Sequence, residues 1–271
     1  ESYTVDVRAA GSDIIAGSFL APLAPLDGEA AVVVASGFLN PPTMDDPGFA
    51  LLAVLPDGTV LPLPQVANTA RLQVVHNSPS PTVDLWVNDE PFITDFEFRT
   101  ASEYVDVPAG VNLNVGVALA GSTSPDDILV DFDFVLAPDE TYQIIANGIV
   151  GDMDAPFNLE VVAPARETAE AGEVDFVIFH GSPDAPAVDI DASGVTNRVE
   201  NLAFTEQEGY FSVNAIDYVL DVFATGASDP VASFSAPLST LDGTALTVFA
   251  SGFLNPEMDD PAFGLFAVLP D

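Results

Sequence analysis

Polar and apolar residues alternate over short stretches of this chain. VDFDFVL (Val130–Leu136) and SEYVDV (Ser102–Val107) follow the two-residue period of a strand with one face on a core and the other in solvent. Turn signals such as AG, PDG, LDG, NDEP and APDE interrupt the pattern, and the chain holds 19 Gly and 23 Pro. No stretch follows the 3.6-residue period of an amphipathic helix. About seven such strands in roughly 100 residues predict tandem antiparallel β-sandwich domains of immunoglobulin-like type. Small β-barrels are the alternative that the same strands allow.

The pattern also repeats. YTVDVRAAGSDIIAGSFLAPLAPLDG, from Tyr3, aligns without a gap with YVLDVFATGASDPVASFSAPLSTLDG, from Tyr218. ASGFLNPPTMDDPGFALLAVLPD (Ala35–Asp57) returns as ASGFLNPEMDDPAFGLFAVLPD (Ala250–Asp271), one residue shorter near Thr43. A second match joins RLQVVHNSPSPTVDLWV, from Arg71, to DFVIFHGSPDAPAVDID, from Asp175, with one residue fewer in the loop after His76. ETYQIIANGIVGDMDAPFNLEVV, from Glu140, is a diverged copy of GTALTVFASGFLNPEMDDPAFGLFAV, from Gly243. The expected domains are residues 1–66, the C-terminal half of a repeat; 68–164, a complete repeat; and 174–271, a nearly complete one. A polar linker, residues 165–173, separates the last two. The first and third repeats resemble each other more than either resembles the second. Two domain types therefore alternate with a period of about 215 residues, and the chain is read as one period plus an overlap. The half-repeat lacks its first strands, which must come from upstream residues or from another subunit.

Composition narrows the function classes. Of 271 residues, 42 are acidic and 5 are arginine, with no lysine, for a net charge of -37. Such a surface repels phosphate backbones and anionic lipids, so nucleic-acid binding and peripheral membrane docking fit poorly. It suits either adaptation to high salt, where screening relieves self-repulsion, or carboxylate loops that hold divalent cations. There is no cysteine, hence no disulfide, thiolate metal site or cysteine nucleophile. No apolar run approaches the ~20 residues that span a bilayer, and no direct membrane insertion is expected.

HNSPSPTVDLWV (from His76) and especially HGSPDAPAVDID (from His180) resemble the signature of the DUF4397 family, a domain of unknown function. The resemblance covers the second and third repeats whole and the first by its tail. It implies prokaryotic secreted or cell-surface domains, often in tandem, with a β-sandwich fold, and it implies no activity. The second repeat departs from the signature, with Ser80 where the third has Asp184.

The motif places His76 and His180 at the ends of equivalent strands. Each is followed by Ser-Pro (Ser78 and Pro79; Ser182 and Pro183) and then by an aspartate on the next strand, Asp84 or Asp189. A His/Asp pair is one route to metal binding or general-base work. The expected role is structural instead: the imidazole satisfies backbone groups in a loop whose prolines cannot donate. Two donors do not complete a zinc site, and no G-x-S-x-G elbow surrounds either serine. The carboxylate pairs Asp45 and Asp46, Asp152 and Asp154, and Asp259 and Asp260 fall in corresponding loops and are the candidate Ca²⁺ ligands. Their bland alternative is a solvated acidic turn, with Met44 or Met258 and Phe49 or Phe263 plugging the end of the sandwich. Trp86, Tyr104 and Tyr142 are expected in cores rather than on a carbohydrate platform. No P-loop, dinucleotide fingerprint or HExxH run occurs, and without lysine there is no Schiff base. The expectation is no enzyme, no catalytic residue, and no cofactor beyond the candidate Ca²⁺.

These readings converge on a structural segment of an extracellular repeat array, such as a fibre, filament, stalk or adhesin shaft. Its expected partners are copies of itself or neighbouring repeats, end to end. A Ca²⁺- or glycan-binding cell-surface module is the alternative.

Overall fold

EVDFVIFH and ALTVFAS do not alternate, and a strand apolar on both faces is stable only when both faces are covered. In the computed structural model, which describes residues 2–8, 10–11, 15–23, 28, 30–38, 47–193 and 199–270, both stretches are strands buried along nearly their whole length. The chain is all-β and forms antiparallel sheets, apart from one parallel strand pair in each of the last two repeats. Among the described residues no sheet closes into a barrel.

The first repeat contains β1 (Ser2–Arg8), β2 (Ile15–Pro22), β3 (Val32–Ser36), β4 (Ala50–Val54), β5 (Val60–Pro62) and β6 (Gln65–Val66). They form two three-stranded sheets, in the orders β1-β2-β6 and β3-β4-β5, around Phe19, Ala21, Leu51, Ala53 and Leu63. The proline-rich LPLPQVANTA, from Leu61, has the composition of a stiff linker but is built into the sheets: β5 pairs with β4, and β6 with β2. Proline tolerates such short edge positions because its missing N–H faces no partner there.

The second repeat contributes β7 (Thr69–His76), β8 (Val83–Val87), β9 (Glu90–Phe96), β10 (Thr100–Ala101), β11 (Val105–Pro108), β12 (Asn112–Leu119), β13 (Ile128–Val135), β14 (Thr141–Asn147) and β15 (Asn158–Val162). One sheet runs β10-β7-β14-β15 with β11 also on β7, and the other runs β13-β12-β8-β9. The third repeat contributes β16 (Glu173–His180), β17 (Val188–Ala192), β18 (Val199–Leu202), β19 (Gln207–Asn214), β20 (Asp217–Ala224), β21 (Ala232–Pro237), β22 (Ala245–Ser251) and β23 (Gly264–Val268). Its sheets run β19-β16-β22-β23 and β18-β17-β20-β21.

Successive residues of β16 point to opposite faces, and both faces meet apolar layers. Val174, Phe176 and Ile178 join Ile190, Leu220, Val222 and Val248 in the core of the third sandwich. Val177 and Phe179 turn the other way and, with Phe249, pack on Val75, Ile145 and Val162 of the second sandwich. The two sandwiches therefore share a buried apolar layer, sheet on sheet. By contact density the chain separates into two compact units, and both of these sandwiches lie almost wholly in one of them.

The polar segment between them is not a free linker. Ala165 N–H donates to Thr141 O (2.8 Å) and Ala169 N–H to Gly243 O (2.8 Å). Arg71 forms a bidentate pair with Glu167 at 3.0 and 2.6 Å. Arg166 pairs with Asp175 at 2.6 Å and lies over the Tyr210 ring at 4.7 Å, while its backbone N–H donates to Tyr210 Oη. A hydrophobic period is not needed for order here, because charge pairs and backbone bonds supply it.

Candidate functional site

His76 and His180 end the central strands β7 and β16, where a Pro-rich loop must leave the sheet. Both imidazoles are fully buried. His76 Nε2 lies 3.1 Å from Pro81 O, and Ser78 N–H donates to His76 Nδ1 at 3.3 Å. His180 repeats this with Pro186 O at 3.1 Å and Ser182 N–H at 3.4 Å. With Nδ1 accepting, the proton sits on Nε2 and the ring is neutral. Burial pulls both imidazoles below the usual histidine range, and the proline carbonyls oppose it only in part. Each ring thus spans its own loop and satisfies two backbone groups that prolines leave unpaired.

The aspartates face elsewhere. Buried Asp84 accepts from Asp95 N–H (2.8 Å) through Oδ1, and from Ser122 N–H and Oγ–H (both 2.8 Å) through Oδ2. Burial pushes its carboxyl upward, but these hydrogen bonds outweigh it and hold the group below its ordinary value. Trp86 Nε1–H donates to the same Ser122 hydroxyl at 2.9 Å, so the buried indole lies on the Asp84 face of β8, opposite Val83 and Leu85. Asp189 accepts from Asn201 N–H at 2.7 Å and Thr225 Oγ–H at 3.2 Å. The motif therefore places histidine and aspartate on consecutive strands of opposite sheets without joining them.

The serines and Asp184 hold loops together. Ser182 Oγ–H donates to Gly252 O at 2.6 Å. Asp184 accepts from Leu254 N–H (2.6 Å) and Asn255 N–H (2.8 Å), clamping the loop between β22 and β23 to the histidine loop. Gly252 starts that second loop with φ +79°, and a Cβ there would lie 2.5 Å from Ala262 O, so only glycine allows the chain to fold back this closely. In the second sandwich Ser78 Oγ–H instead donates to Ser80 O at 3.4 Å. Pro79 and Pro183 follow the two serines as the loops turn away from the sheets.

Among the described residues, no three carboxylates or histidines gather as a metal ligand set. Asp152 Oδ1 caps the N–H groups of Asp154 (2.7 Å) and Ala155 (2.9 Å), which lowers its pKa. Asp260 accepts from Glu257 N–H at 3.1 Å. Asp259 lies in the same exposed turn, and Asp45 and Asp46 fall outside the described residues. Met258 does not plug the sandwich: it is almost wholly exposed. Phe263 does pack on the core, against Phe234, and Phe49 packs edge-on against Phe19. A methionine in a tight acidic turn has nothing to reach, whereas the phenylalanine next to the returning strand lies over the core.

What the histidine loops position is the joint between the two sandwiches. Arg99 N–H donates to His76 O at 2.7 Å. Its guanidinium crosses to the third sandwich, donating to Ser251 Oγ (3.2 Å), Ser251 O (2.9 Å) and Ala262 O (2.8 Å). It also stacks 3.8 Å over the Phe266 ring, a contact strengthened by its partial removal from water. Asn77 Nδ2–H donates to Gly181 O at 3.1 Å and to Asn147 Oδ1 at 3.0 Å. Gln73 Nε2–H donates to Leu269 O at 2.9 Å. Arg71, Arg99 and Arg166 were not readable as joint residues from spacing. The available signal was their scarcity: in a chain with five cations, three flank strands that carry apolar residues on both faces.

No helix among the described residues is long and apolar enough to cross a membrane. No curated protein matches the chain. A solved structure described as "Alpha-glucan binding by a streptococcal virulence factor" is similar at 12% identity and a TM-score of 0.23, over 66% of this chain and 92% of that one. The model of the family described as "Domain of unknown function (DUF4397)" matches residues 70–191 and 177–263, and the chain belongs to that family.

Proposed function

We propose that this chain is a structural segment of a prokaryotic extracellular array of β-sandwich domains, serving as a fibre, stalk or adhesin shaft. The observation that carries this reading is the layer of Val75, Ile145, Val162, Val177, Phe179 and Phe249 buried between two consecutive sandwiches. Tandem domains on free linkers reorient independently, while domains that share a desolvated layer move as one body. Arg99 and the Arg71–Glu167 pair add directional contacts across the same joint and its connector. The acidic, lysine-free surface keeps such a rod hydrated and discourages lateral sticking. The reading is non-catalytic and needs no cofactor. Its support is that both nitrogens of each histidine face backbone groups, so neither ring is placed to activate Ser78 or Ser182.

The test is immuno-electron microscopy on native cells with antibodies to this chain. Label spaced regularly along surface filaments or stalks is the expected result. Label confined to the cell interior, or to dispersed soluble monomers, overturns the reading.

A further inference from the structure

β1–β4 of the first repeat and β20–β23 of the third are matching strand pairs, about 215 residues apart. β3 pairs with β4 at Ala35↔Leu51 and Ser36↔Ala50, and β22 pairs with β23 at Ala250↔Leu265 and Ser251↔Gly264. β1 pairs with β2 at Tyr3↔Ala21, and β20 with β21 at Tyr218↔Ala236. The surroundings differ on both sides, since β4 and β2 also carry β5 and β6 where β23 and β21 end their sheets, but the difference that matters for burial lies beside β22 and β20. β22 carries β16 along its other edge, in parallel, and β20 carries β17, antiparallel. Among the described residues, β3 and β1 are edge strands with no such neighbour. Exposure follows: Val33 is 52% exposed where its counterpart Val248 is 7%, and Tyr3 is 52% exposed where Tyr218 is 7%. One sequence is therefore core in one repeat and surface in the other; of the four strands β16–β19 that precede it in the third repeat, the two that lie directly beside β22 and β20 are the consecutive pair β16 and β17.

We infer that the first repeat is an acceptor for a two-strand segment of the β16–β17 type. The segment consists of an apolar strand, a His-x-Ser-Pro loop and an Asp-bearing second strand. Its first strand lies parallel along β3 and its second antiparallel along β1, so one insertion covers both edges. Backbone hydrogen bonds to the two open edges hold it, and apolar side chains facing Phe19 and Leu51 give it register. A second copy of this chain does not offer such a segment, because its own β16 and β17 already pair with β22 and β20. The donor is a separate segment of the same sequence type. The inference rests on the matching registers and stands apart from the array reading.

The test places residues 172–215 directly ahead of Glu1, the spacing at which they precede Ile216 in the third repeat. Hydrogen exchange of the Val32–Ser36 amides is expected to slow about tenfold or more in the fusion. Val33→Asp is expected to leave the native chain's melting temperature unchanged and to abolish the added protection in the fusion. In case the fusion misfolds, the synthetic peptide Glu173–Ala192 added to the native chain should protect the same amides, and a scrambled peptide should not. Equal exchange with and without the donor overturns the inference. Protection that rises with concentration of the native chain alone assigns the edge to a second copy and also overturns it.

Discussion

The second and third sandwiches leave their central strands through the same histidine, serine and proline, yet the two loops end differently. In the third, Asp184 ties Leu254 and Asn255 to the histidine loop, and Ser182 holds Gly252. In the second, the loop is one residue shorter, Ser80 replaces the aspartate, and a cleft of about 310 Å³ opens, lined by Pro81, Val83, Leu129, Val150 and Phe157. The imidazole geometry is unchanged between them. What differs is the side chain that joins one loop to the next, so closure of this end belongs to Asp184 and the loop staple belongs to the histidine.

A second difference lies at their joint. Arg99 and Thr205 occupy equivalent places, each donating its N–H to the carbonyl of its own histidine, at 2.7 and 2.8 Å, with φ +65° and +72°. Arg99 stacks on Phe266, whose counterpart on β15 is Glu160. Around Thr205 and Glu160 the joint is an unfilled cleft of about 530 Å³, also lined by Glu200, Glu206 and Glu208. One side of the joint is therefore sealed by a cation over an aromatic ring, and the other is acidic and open.

The largest expected effect breaks what the two loops share. His180→Ala, or His76→Ala, removes a buried ring and two backbone hydrogen bonds and should cost about 3 kcal/mol in urea unfolding. A cost as small as that of a surface substitution would deny the staple role.

Acid should act on both copies together. Each histidine has a folded pKa below its unfolded value of about 6.5, so between those values the unfolded chain binds more protons. Stability is then full above about pH 6.5 and falls as pH drops, by up to about 1.4 kcal/mol per pH unit for each ring. The difference between the native chain and the His76→Gln, His180→Gln double variant isolates this slope from the titration of the surface carboxylates.

Arg99→Ala should cost about 2 kcal/mol through lost stacking and backbone bonds, while Thr205→Ala should stay within about 0.5 kcal/mol. Equal costs would remove the asymmetry of the joint. Asp184→Ala should cost about 1 kcal/mol and speed hydrogen exchange at Leu254 and Asn255, with Ser80→Ala nearly silent. The smallest effect is Thr205→Arg, a gain of up to about 1 kcal/mol that fades with added salt, because its attraction comes from exposed carboxylates.

Much of the fold was legible in the residues. Alternation in VDFDFVL and SEYVDV gave strands, and the match of Tyr3 with Tyr218 gave identical registers, because the hydrophobic period and the turns set strand pairing locally. That His76 and His180 meet backbone groups of their own loops was also legible, since Pro-rich loops leave such groups in need of partners. Three features were not. LPLPQV looked like a linker because proline depletes central strands, and only the edges of β2 and β4 show where it fits. Met258 was assigned to a plug that its turn cannot form. The role of Arg99 depended on Phe266, more than 160 residues away.

By itself, then, the sequence determined an all-β chain of repeated sandwiches, its strand registers, its acidity and its family, all consequences of local period and composition. Only the tertiary structure decided which faces are shared. Whether a strand such as Val32–Ser36 or Ala245–Ser251 is surface or core depends on what lies beside it, and burial is a property of neighbours, not of the residue that is buried.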